Sequence, residues 1–64
     1  MSGVDEVRRE ARRLFLEGLP DGLSPDARLA RARTAVHEAL AESMVALSTT
    51  ERRELAAQVE ASDQ

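Results

Sequence analysis

His37 is the one side chain in this sequence whose ordinary pKa lies near neutrality. Acid–base or nucleophilic work would need an orienting acceptor and a reacting group within reach of its ring. Glu38 is next in sequence, but adjacent residues on a helix point apart, and Ser43 lies nearly two turns on. A metal would need a second donor three or four residues away, where Leu40 and Ala41 stand. His37 reads as a boundary or surface residue. Glu38 and Glu42 share a helix face, yet binding a hard cation or working as acid and base needs further ligands and a sheltered site. In solvent the two merely repel by roughly 0.2–0.5 kcal/mol. Ser48, Thr49 and Thr50 have no base near them, and helix capping accounts for their hydroxyls. The sequence predicts no catalytic residue, no cofactor and no metal.

The arginines carry more information. Arg8, Arg9, Arg12 and Arg13 cover one broad side of the first helical segment, while Glu6, Glu10 and Glu17 gather on its other flank. Leu14, Phe15 and Leu16 are consecutive, and one helix face cannot bury all three. Leu14 and Phe15 extend the apolar stripe, which leaves Leu16 among the arginines. Val45 repeats the anomaly further on, pointing away from the apolar face near Glu38 and Glu42. Arg9, Arg12, Arg13 and Leu16, with Val45 as a second patch, are the residues expected to meet a partner.

These side chains must be positioned by helices. Val4, Val7, Ala11 and Leu14 alternate spacings of three and four, predicting a helix over about 4–17. Asp5 and Glu6 suit its positive end, Gly18 can close it in a left-handed conformation, and Pro20 cannot continue it. Residues 18–24 form a connector punctuated by two glycines and a proline. Ser24-Pro25-Asp26 then opens a second helix with a cap, a proline at the first position and a dipole-complementing acid. No glycine or further proline interrupts the chain before Leu47, so this helix is predicted over 25–47. Leu29, Val36, Leu40 and Leu47 share its inner face, with small Ala32, Ala39 and Ser43 beside them. Ser48-Thr49-Thr50-Glu51 is a capping box, starting a third helix over 49–61 with Leu55, Ala56 and Val59 inward. The tail from Glu60 to Gln64 is expected to fray. Short connections favour antiparallel neighbours, so the fold class is all-α: a three-helix bundle with a long central helix.

Composition bounds the rest. A chain of 64 residues makes one domain, and a single core of that size rarely yields more than roughly 3–5 kcal/mol of net stability. Twelve acidic against nine basic residues leave a charge of −3, which disfavours nucleic acid because affinity there comes from basic residues releasing counterions. All nine basic residues are arginine, a bias that matches a GC-rich bacterial genome. Absence of cysteine excludes a disulfide scaffold. No stretch approaches the roughly 20 apolar residues of a membrane span, so no membrane insertion is expected. The first residues lack a basic and apolar leader pattern, and a cytoplasmic location is expected.

Leu47-Ser48-Thr49-Thr50-Glu51-Arg52-Arg53-Glu54-Leu55 and Val59 resemble the third-helix start of the small helical domain that precedes the motor in pilus-assembly and type II/IV secretion ATPases. There too an arginine-rich amphipathic helix leads into a serine- or proline-started one. The resemblance implies a helical accessory domain and, with no ATPase site in the chain, no nucleotide function. The expected function is a non-enzymatic protein–protein interaction module, an accessory, adaptor or regulatory subunit that docks a protein partner or a second copy through helix faces. The competing expectation is a DNA-associated regulator or antitoxin-like protein. A helix-turn-helix reader fits less well, because the glycine-containing connector is long for that motif and the last helix mixes Glu51 and Glu54 with Arg52 and Arg53.

Overall fold

A computed structural model of the chain describes residues 3–61. Within them stand three helices: α1 (Gly3–Leu16), α2 (Pro25–Ser43) and α3 (Thr49–Ala61). Each helix touches both others, with α2 forming the larger contacts. No strand occurs among the described residues, and the all-α bundle expected from the sequence is the fold.

The start and stop signals act as their chemistry requires. Val7, Ala11 and Phe15, spaced four apart, are the buried stripe of α1. Gly18 adopts φ 68° just after the helix, a conformation that costs a side-chain-bearing residue about 1–2 kcal/mol. Ser24 sits in extended backbone, and its Oγ accepts the Ala27 N–H at 3.2 Å, ahead of Pro25 in the first turn of α2. The capping box closes in both directions: the Glu51 N–H donates to Ser48 Oγ at 3.2 Å, and the Ser48 N–H donates to Glu51 Oε1 at 2.9 Å. Two otherwise orphaned donors of α3 are thereby satisfied.

The second helix ends sooner than its sequence suggests. Met44 turns left-handed, at φ 55° and ψ 32°, and the chain leaves the helix four residues before Leu47. The reason is tertiary. A helix carried to Leu47 would be about 35 Å long against about 21 Å for α1, so its end would project beyond anything to pack on. Breaking at Met44 costs about 1–2 kcal/mol, while burying a leucine returns roughly 1.5–3 kcal/mol. Leu47 accordingly reaches the core. Val45 lies in this connector, half-buried, with its Cγ2 only 3.2 Å from where a Cβ on Gly3 would stand. It is therefore not an outward valine on α2.

Five of the twelve buried apolar residues are alanine, which lets the helices approach closely. Phe15 is the largest side chain fully inside. Val36, Leu40, Leu55, Ala56 and Val59 fill the remainder, while Leu14 and Leu29 are half-buried at its edge. At the end of the bundle near Phe15, Arg28 crosses from α2 to α3. Its Nε donates to Glu60 Oε1 at 3.0 Å, and its guanidinium lies 5.5 Å from the Phe15 ring centre. Glu60 and Ala61 thus belong to α3 rather than to a frayed tail; Ser62, Asp63 and Gln64, the rest of the predicted tail, lie outside the described residues.

Candidate interaction surface

The basic side of α1 is smaller than its four arginines imply. Arg8 donates to Asp5 Oδ1 at 2.8 Å and to Gln58 Oε1 at 3.1 Å. Arg13 is shared between Glu10 and Glu17, its Nη1 lying 3.1 Å from Glu17 Oε2. Its pKa is raised, first by the hydrogen bond it donates to Glu10 and then by the charge of the same carboxylate. Arg9 and Arg12 are exposed and form no ion pair with a described carboxylate. Leu16, predicted to stand alone among these arginines, is instead half-buried and packed against the core. It is the last residue of α1, where the chain folds back and the straight-helix wheel stops describing the surroundings. With Leu16 and Val45 both drawn inward, the predicted patch reduces to the cations Arg9 and Arg12, while Arg13 is occupied by its own carboxylates.

A different surface gathers unpaired charge. Arg33 and His37, one turn apart on α2, face Thr49, Arg52 and Arg53 from the first turn of α3, across a groove of about 240 Å³ floored by Val36. An adjoining hollow of about 300 Å³ shares His37 and Arg52 and continues over Leu40, Ala41, Val45 and Ala46. Together they make one trough between α2 and α3. Arg52 is fixed at its mouth by an Nε hydrogen bond to the Leu47 carbonyl at 3.1 Å, leaving its two terminal nitrogens for other acceptors. No carboxylate lines either part. Of the nine arginines, Arg8, Arg13 and Arg28 are ion-paired within the described residues; three of the other six lie here. In a chain of net charge −3, that is a local reversal of sign over an apolar floor.

Reasoning along the sequence missed this trough because its two sides come from different helices, at least 12 residues apart where they line the same groove. One signal was available. Arg52 occupies the face of α3 that Leu55, Ala56 and Val59 bury, where continued packing would call for an apolar residue. Among the described residues Met44 is the large apolar side chain most open to solvent, at 93% exposure, and it lines neither part of the trough.

His37 is exposed, and the polar side chains beside it in the trough are Arg33, Arg52, Arg53 and Thr49; among the described residues no carboxylate lines the trough to orient its ring. Glu38 lines a separate groove on the α1 side of α2. Among the described residues no group of three His, Asp or Glu side chains is placed to hold a metal ion, and no helix is long and apolar enough to cross a membrane. Comparison with protein-family models, with curated proteins and with solved structures finds no match to this chain, so the resemblance to the helical domains of secretion ATPases rests on its capping and amphipathic residues alone.

Proposed function

We propose that this protein is a non-enzymatic interaction module that docks an acidic, amphipathic helical segment of a partner protein in the trough between α2 and α3. The observation that carries the reading is the trough itself: Arg33, His37, Arg52 and Arg53 around an apolar floor, with no carboxylate among its lining residues. Guanidinium groups match carboxylates in a planar, bidentate geometry. An amphipathic helix laid in a groove supplies apolar anchors to the floor and acids to the rim. Excess positive charge held together in the free protein is relieved by such a partner, so charge supplies specificity and on-rate as well as affinity. Nucleic acid fits the surface less well. The chain is acidic overall, and its single aromatic, Phe15, is buried and cannot stack on a base.

The test uses a fluorescent peptide with Leu and Glu at helical spacing, followed by anisotropy against the whole chain. Binding is expected to weaken as salt rises and to fall at least about tenfold in Arg33→Glu/Arg53→Glu, a change of about 1.4 kcal/mol. Circular dichroism should show the helices unchanged, because both side chains are exposed. Equal binding by the variant, or preference for a DNA duplex over the peptide, contradicts the proposal. Leu16→Glu is not a suitable probe, since it would drive a charge into a half-buried position and report on packing.

A further inference from the structure

On the opposite flank of α2 from the trough, a second groove of about 340 Å³ runs beside α1, with Leu14, Ala30, Arg31, Thr34 and Glu38 among its lining residues. We infer that this groove receives the same groove of a second copy, giving a two-fold dimer in which α2 lies antiparallel to its counterpart. Three observations converge. The first is an orphan: Arg31 Nε is buried and makes no hydrogen bond, whereas buried donors in folded proteins nearly always have a partner. The second is charge. Glu38 lines the same groove two turns further along α2, about 10 Å away along the axis. That separation is too great for the two to pair within one chain, and no such pair forms.

A two-fold axis passing beside Thr34 and Ala35 answers the charge directly and offers the otherwise unpartnered Arg31 guanidinium an acceptor at its terminal nitrogens. It sets Arg31 of one copy against Glu38 of the other, and the reverse, which is the self-complementarity an isologous interface requires. The third observation is shape. Ala30 and Thr34 are small and exposed, so two helices can approach closely there, with half-buried Leu14 supplying apolar contact at the side. The contact is short, and the dimer is expected to dissociate on dilution. It leaves the α2–α3 trough of each copy open, and its failure would leave the proposed docking function untouched.

Sedimentation across a range of concentrations tests it. The wild-type chain is expected to move from 7.0 kDa toward twice that mass as concentration rises. Arg31→Glu and Glu38→Arg should each stay monomeric, because each places like charges opposite one another twice. The double exchange Arg31→Glu/Glu38→Arg should dimerise again. Glu38 is exposed, so Glu38→Arg is expected to fold even if the half-buried Arg31 position tolerates Glu poorly. A wild-type chain that remains at 7.0 kDa at its highest soluble concentration overturns the inference. So does a dimer indifferent to Glu38→Arg, or a double exchange that folds and stays monomeric.

Discussion

Replacing Met44 by glycine should stabilise this protein, although the change deletes an entire side chain. Met44 holds φ 55° and ψ 32°, a left-handed conformation that costs a residue with a Cβ about 1–2 kcal/mol. Its side chain is 93% exposed, so almost no packing is lost with it. Against the gain stands the greater freedom of glycine in the unfolded chain, worth about 0.5–1 kcal/mol. The net expectation is a stabilisation of about 0.5–1 kcal/mol, or a rise in Tm of roughly 2–8 °C for a domain of this size. Met44→Ala is the control, since it removes the same side chain and keeps the backbone penalty; it should change stability by less than about 0.5 kcal/mol. Urea and thermal unfolding followed by circular dichroism measure all three chains. If glycine destabilises, or matches alanine, then α2 does not end in the turn described. Val45 would lose its place beside Gly3 with it, and the predicted outward valine would return.

Two further substitutions test the packing and the cap. Phe15→Ala removes the largest buried side chain at a cost of roughly 3–5 kcal/mol, comparable to the roughly 3–5 kcal/mol a core of this size supplies. That variant should lose its cooperative thermal transition, and one retaining the wild-type Tm would show that Phe15 is not the centre of the core. The Glu51 carboxyl is held below its ordinary range, first by the Ser48 backbone N–H and then by the Ser48 side chain. A lowered folded pKa means its contribution is present above about pH 4.3, the ordinary glutamate value, and is lost as pH falls through the folded value. Glu51→Gln should therefore lose less stability than wild type over that acid window. Identical acid profiles would remove the cap's ionic component.

Elements bounded by local chemistry were legible in the sequence, and elements bounded by tertiary demand were not. Gly18, the Ser24-Pro25 pair and the Ser48–Glu51 box are complete within a few residues, and α3 spans the residues its cap and its stripe predict. Nothing local marks the break at Met44, because alanine, glutamate and serine around it all tolerate a helix. That one misplaced end moved Val45 from an exposed face into a covered connector. Leu16 differed for a related reason, since a helical wheel describes direction on a continuing helix, and Leu16 is the last residue of α1, packed against the core. The Arg28–Glu60 pair joins residues 32 apart, and the trough joins α2 to α3. Both are products of the fold, visible only when the helices are set side by side.

Chemical-shift mapping with the same acidic, amphipathic peptide tests the central claim most directly. Addition of the peptide should move the backbone amide signals of Arg33, His37, Thr49 and Arg53, the residues that line the basic trough. Shifts confined to Arg9 and Arg12 on α1, or no shifts at peptide concentrations that saturate the anisotropy signal, would contradict it.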